Sequence, residues 1–165
     1  MKRLLLVLAS VIFLSGAAPY ARPLEPYKVL ARNEDRLTIY ETAEIVTGTK
    51  ADILKGLCYA ESAMGRKLKH SDPLDKGFFG LREPPKYHKE RARKWGEYDP
   101  HNPSDSAVIA GHIYMEAYCY FDGDRDKALT AYHRGISWTR KHGIDWGYVA
   151  KVMEGIAICN NAILE

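Results

Sequence analysis

Apolar positions recur at helical rather than strand spacing along most of the chain. Leu37, Tyr40 and Ala43 predict a first helix from about Asn33 to Val46, which Gly48 ends. Thr49 reads as an N-cap with Asp52 three residues on, a variant of the capping box, and the helix it starts carries an apolar stripe at Ile53, Leu54, Leu57 and Cys58. Ser104 is expected to cap a third helix running to about Phe121, with Val108, Ile109, Ile113, Met115 and Tyr118 making a largely buried rod. Asp122-Gly123-Asp124 breaks that rod, a fourth helix follows over Arg125 to Arg134 with Gly135 as its C-terminal cap, and a last one runs from Asp145 to about Ala162.

Between Gly65 and Pro103 the pattern dissolves under Pro73, Gly77, Gly80, Pro84, Pro85, Gly96 and Pro100, and only a short helix around Tyr87 to Trp95 is expected there. Irregular stretches of this length in compact domains are functional or disordered, and Phe78, Phe79, Tyr87, Trp95 and Tyr98 argue against disorder. No period-2 run of strand length stands out. The fold class expected is mainly α, with the long irregular segment lining a cleft.

The beginning of the chain has a different grammar. Lys2 and Arg3 precede an eleven-residue apolar run, Leu4 to Leu14, and small residues follow at Ser15, Gly16, Ala17 and Ala18. A bilayer span needs about 20 apolar residues, so residues 1–21 read as a secretory signal peptide, which predicts export and no stable membrane span after cleavage. Residues 22–32, with Pro23 and Pro26, read as an extended leader, and 33–165 as one globular domain.

Composition changes this picture little. Removing Lys2 and Arg3 lowers the formal charge from +3 to +1, too weak a field to suggest a nucleic-acid partner. The remaining cations cluster at Arg66, Lys67 and Lys69 and again from Arg82 to Lys94; both a solvated face and a surface meeting an anionic wall polymer fit that clustering. Three cysteines, Cys58, Cys119 and Cys159, give neither a disulfide framework nor a zinc spacing, so they read as small buried apolar residues. Asp122, Asp124 and Asp126 alternate like calcium ligands without the glycine and glutamate such a loop requires, and His112 with Glu116 lacks a third ligand. No metal and no cofactor is expected.

The informative residue is Glu61. The stripe at 53, 54, 57 and 58 continues by helical spacing to 61, where a carboxyl group stands in place of an apolar side chain. Burial disfavours a carboxylate's charged form and raises its pKa, as a general acid working near neutrality requires. A glutamate paired with a buried cation, or one at the solvent end of the helix, would give the same pattern.

Around it stand Tyr59-Ala60-Glu61-Ser62, Gly77-Phe78-Phe79-Gly80-Leu81-Arg82-Glu83, Ala131-Tyr132-His133-Arg134-Gly135 and Tyr148-Val149-Ala150-Lys151-Val152. In order and spacing, over Thr49 to Met153, these segments resemble the soluble lytic transglycosylases of the lysozyme-like superfamily. Those enzymes carry a Glu-Ser pair, a Gly-x-x-Gly-Leu-Met-Gln turn, an Ala-Tyr-Asn-x-Gly segment and a Tyr-Val-x-Lys-Val helix. The resemblance implies a lysozyme-like helical domain that cleaves the β-1,4 bond between N-acetylmuramic acid and N-acetylglucosamine in peptidoglycan glycan strands. In it Glu61 is the single acid/base, and the muramic C6 hydroxyl closes a 1,6-anhydro ring.

Ser62, Phe79, Gly80, Leu81, Glu83, Tyr132, His133 and Tyr148 then become candidate substrate-binding residues, and cell-wall or secretion machinery a candidate partner. The chain departs from the family pattern at Arg82, Glu83, His133 and Ala107, which stand where methionine, glutamine, asparagine and asparagine are usual. A carboxylate at 83 beside Glu61 would raise a pKa further or supply a second catalytic group. A hydrolytic muramidase and a non-catalytic wall-binding protein are the alternatives these departures keep open.

Overall fold

The structure, a computed structural model, describes residues 37–161. The signal peptide and leader expected over 1–32 lie outside the described residues, as do both extremities of the domain expected over 33–165. What is described is mainly α, as expected: seven helices and one two-stranded sheet among the described residues. In chain order these are α1 (Ile39–Thr47), α2 (Ala51–Ser62), β1 (Asp75–Lys76), β2 (Leu81–Arg82), α3 (Pro85–Trp95), α4 (Pro103–Tyr120), α5 (Arg125–Arg134), α6 (Ile136–His142) and α7 (Trp146–Asn161). Among the described residues no helix is long and apolar enough to cross a membrane.

Caps decide where the helices begin, and three starts differ from expectation. Thr38 caps α1 through a full capping box with Glu41, so the helix starts several residues after Asn33 and Leu37 is left exposed. At α2 the cap position is Lys50, not Thr49. The Thr49 hydroxyl donates to the Gly111 carbonyl at 2.8 Å inside the core, and the free amide of Ala51 is taken by the Glu44 carboxylate at 2.8 Å. At α4 Asn102 is the cap, accepting from the amides of Ser104 and Asp105, because Pro103 fits the first helical position and lacks the N–H that would otherwise need a partner. The short helix α6 was not expected at all.

The core is built where α2 packs along α7, α1 on α4, and α4 on α5. Leu54 and Leu57 of α2 are fully buried, each contributing about 1.5–3 kcal/mol by leaving water. Cys58 is buried, Cys159 half-buried and Cys119 exposed, so the burial expected of all three cysteines holds only for the first. The α2–α7 pairing brings Glu61, near the end of one helix, to Tyr148, near the start of the other.

The irregular segment closes over this pair as a hairpin. Asp75 pairs with Arg82 and Lys76 with Leu81 in antiparallel register. The strands are two residues each, too short for an alternating pattern to register in the sequence. Phe79, fully buried at the hairpin tip, anchors it to the core.

Candidate active site

Glu61 comes from the last turn of α2, on the side of the helix that meets α7. The Tyr148 hydroxyl donates to Glu61 Oε1 at 2.6 Å, at the short end of O–H···O geometry. Lys151, one turn further along α7, donates from Nζ to the carbonyl of Ala60, so the same helix also grips the backbone beside Glu61. Burial raises the pKa of Glu61 above its ordinary value; the Tyr148 hydrogen bond and the charges of Lys151 and His70 pull it back in part. Tyr148, buried and beside that carboxylate, is pushed well above the ordinary phenol range, so it keeps its proton and remains a donor.

Glu61, Tyr148, Lys151, His133, Arg134 and Asp145 line a cavity of about 260 Å³. A larger groove of about 440 Å³ lies on the far side of Arg134, between α3, α4 and the start of α6, with Tyr87, Lys94 and Trp138 on its walls. The smaller cavity is the candidate site, because Glu61 and its donor Tyr148 both line it.

The hairpin fits against Glu61 at Gly80. Its φ is +57°, and a Cβ there would lie 2.4 Å from Glu61 Oε2. Glycine at 80 therefore serves two ends, the left-handed turn and the space the carboxylate occupies. Gly77 lets the hairpin approach the segment before α4: a Cβ at 77 would stand on the Pro100 carbonyl. Tyr132 holds the tip from α5, its hydroxyl donating to the Phe79 carbonyl at 2.7 Å. The His70 ring bonds the Gly77 carbonyl at 2.8 Å; a carbonyl only accepts, so Nε2 carries the proton.

Of the eight sequence-predicted binding residues only His133 and Tyr148 line the cavity; Gly80 and Tyr132 shape the hairpin beside it, and Ser62, Phe79, Leu81 and Glu83 stand behind it. Ser62 is fully buried, and its hydroxyl is spent on backbone, donating to Cys58 O at 3.1 Å and accepting from the Gly65 amide at 2.9 Å. It shapes the left-handed turn that ends α2 and gives the carboxylate no direct support. The side chains of Phe79 and Leu81 are core.

Glu83, expected beside Glu61, is enclosed by its own donors. Arg91 Nη1 at 2.5 Å and the Tyr98 hydroxyl at 2.7 Å meet Oε1, and His88 Nδ1 meets Oε2 at 2.8 Å. Its side chain is 5% exposed, and all three partners lie on or just after α3, so Glu83 ties that helix to the hairpin. The carboxylate that does bear on Glu61 is Asp75 of β1. Burial, then Asp72, raises the pKa of Asp75, while Arg82, 3.5 Å away, opposes the rise. Nothing in the local sequence marks Asp75 or His70, because only the closing of the hairpin brings them near α2.

No protein-family model, curated protein or solved structure gives a significant match to the chain.

Proposed function

We propose that the protein is an exported enzyme that cleaves the β-1,4 bond between N-acetylmuramic acid and N-acetylglucosamine in peptidoglycan, acting in the periplasm or at the cell wall as a lytic transglycosylase. The observation that carries the reading is the protonatable carboxyl of Glu61, raised by burial, held at 2.6 Å by Tyr148 and open to a cavity. The motif resemblance then supplies the substrate and the lysozyme-like fold.

In this mechanism Glu61 protonates the glycosidic oxygen, the bond to the leaving sugar breaks, and the carboxylate so formed takes the proton of the muramic C6 hydroxyl as the 1,6-anhydro ring closes. Tyr148 loses nothing in the cycle; it stabilises the anionic half. Gly80 keeps the hairpin backbone against the carboxyl without displacing it. Since the acid form of Glu61 does the first step, kcat/KM falls as pH rises through the raised pKa of Glu61.

Asp75 favours a second reading, in which water adds and the enzyme is a muramidase, because its charge reaches Glu61 and a second carboxylate near the acid can activate a nucleophile. Mass spectrometry of digested peptidoglycan separates the two. Anhydromuramic ends that appear with wild-type protein and vanish with Glu61→Gln support the transglycosylase. Reducing muramic ends that vanish with Asp75→Asn support the muramidase. Binding to insoluble wall without release of fragments would overturn both and leave a wall-binding protein.

A further inference from the structure

His133 of α5 lies face to face with Tyr148, the ring centroids 4.3 Å apart and the planes 3° from parallel. A phenol on a single Cβ turns about two torsions, the second of them broad. Tyr148 is buried in the core, its hydroxyl end is fixed by one hydrogen bond to Glu61, and a flat partner covering one face of the ring adds to the packing that sets the hydroxyl's direction.

The remaining contacts between α5 and the start of α7 hold Asp145 and the backbone instead of the ring. Thr130 Oγ1 accepts from the Asp145 amide at 3.0 Å, Arg134 Nε donates to Asp145 Oδ2 at 3.0 Å, and Asp145 Oδ1 accepts from the Tyr148 amide at 3.2 Å. Among the described residues His133 is the aromatic ring stacked on the Tyr148 plane. The charged groups facing it are Arg134 on its own helix, Asp145 and Lys151 from α7 and its approach, and Asp75 from β1. Burial and the Arg134 cation lower the pKa of His133, so near neutrality the ring stacks as a neutral plane and adds no charge beside Glu61.

We propose that His133 is a positioning residue: by stacking on Tyr148 it holds the phenol where it donates to Glu61. Its consequence for turnover rests on the reading of Glu61 as the acid/base, while its structural content does not. Freed of the stack, the hydroxyl spends less time on the carboxylate, the ionised form loses a stabilising donor, and Glu61 titrates at higher pH.

The test is a ¹³C NMR titration of the Glu61 carboxyl in the purified protein, assigned with Glu61→Gln, run beside kcat and KM on peptidoglycan. His133→Ala and Tyr148→Phe are expected to move the Glu61 midpoint upward in the same direction. His133→Phe restores it by restoring a flat face, and His133→Ala adds nothing in the Tyr148→Phe background. Turnover falls about tenfold in His133→Ala with KM little changed, and recovers in His133→Phe.

A Glu61 midpoint unmoved by His133→Ala overturns the proposal, as does a shift that persists when Tyr148 is already phenylalanine. KM raised equally by Ala and Phe, with the midpoint unmoved, also overturns it and makes His133 a direct substrate contact. If His133→Ala folds poorly by circular dichroism, His133→Leu takes its place, filling the space without a flat face and shifting the midpoint alike. Absence of any glycan cleavage by the wild type removes the enzymatic reading, and the titration still decides the positioning role.

Discussion

Gly80 leaves the space that the Glu61 carboxylate fills: a methyl group at 80 would lie 2.4 Å from Oε2 and 3.1 Å from the carboxyl carbon. Of the two, the carboxylate is the free end of a side chain and the one that yields. Gly80→Ala is therefore expected to push Glu61 off its bond with Tyr148, lowering turnover about tenfold or more. The left-handed backbone should also cost about 1–2 kcal/mol of stability. Gly48→Ala separates these effects, because Gly48 has φ +78° in the left-handed region and its would-be Cβ meets only Met115 Cε, at an ordinary 3.5 Å. It should show the backbone cost in denaturant unfolding and keep turnover. Equal losses of activity in the two variants would mean that strain, not displacement of Glu61, is responsible.

The raised pKa of Glu61 makes a statement about stability as well as about catalysis. Where the folded-state pKa lies above the unfolded one, the folded protein holds the proton more tightly. Stability is then fully present below the ordinary carboxylate range and is lost as pH rises through the folded value. Glu61→Gln removes the ionisation and keeps an oxygen that can accept from Tyr148. The variant is expected to match the wild type below the ordinary carboxylate range and to exceed it increasingly as pH rises through the raised pKa of Glu61, as read from denaturant midpoints across that span. A wild type that gains stability relative to Glu61→Gln as pH rises would show that Glu61 is held as a carboxylate, contrary to a role as general acid.

What the sequence made legible and what it hid divide along physical lines. The stripe Ile53, Leu54, Leu57, Cys58 marks α2 because a helix buried on one side must repeat its apolar residues, and the same periodicity placed α4 and α7. Their starts were less legible, since the groups that cap them come from elsewhere: Glu44 reaches forward to Ala51, and Asn102 stands one residue before a proline.

The helix α6 carries Ile136 and Trp138 among Arg140, Lys141 and His142, with Thr139 its one buried residue, and so has no stripe to read. Glu61, Gly80 and Tyr148 were found because each stands in a motif. Lys151 stands in one too, yet its partner is a backbone carbonyl, which every residue possesses and no sequence pattern advertises. Glu83 shows the converse. A carboxylate in the right segment looks like part of the chemistry, but Arg91, His88 and Tyr98, all later in the chain, satisfy it.

That enclosure gives Glu83 a measurable signature. Glu83→Gln leaves the Arg91 guanidinium, itself largely buried, without its anion, and exchanges one acceptor oxygen for a donor amide facing donors. Removing one partner of a hydrogen-bonded charge pair in such surroundings costs about 2–3 kcal/mol. Thermal and denaturant unfolding should show that loss, and the loss of turnover in the folded protein should be smaller than that of Glu61→Gln by at least about tenfold. A variant of wild-type stability that is as inactive as Glu61→Gln would return Glu83 to the catalytic cleft.

The separation of Glu61 and Tyr148 is finally a matter of how closely α2 and α7 approach, and glycine sets that distance. A Cβ at Gly155 would lie 2.6 Å from the Cβ of Tyr59, and one at Gly56 would meet the Val152 carbonyl at 2.7 Å. Both obstacles belong to or adjoin backbone, so the contact cannot be relieved by rotating a side chain. Gly155→Ala gains about 1 kcal/mol in helix propensity, but overpacking of this kind costs about 1–3 kcal/mol, and it wedges apart the two helices that carry Glu61 and Tyr148. The 2.6 Å bond between Tyr148 and Glu61 then lengthens. Net destabilisation in denaturant, together with a fall in kcat greater than any rise in KM, is the expected result. A Gly155→Ala protein more stable than wild type would mean that helix propensity prevails and that α2 and α7 do not meet as closely as this packing requires.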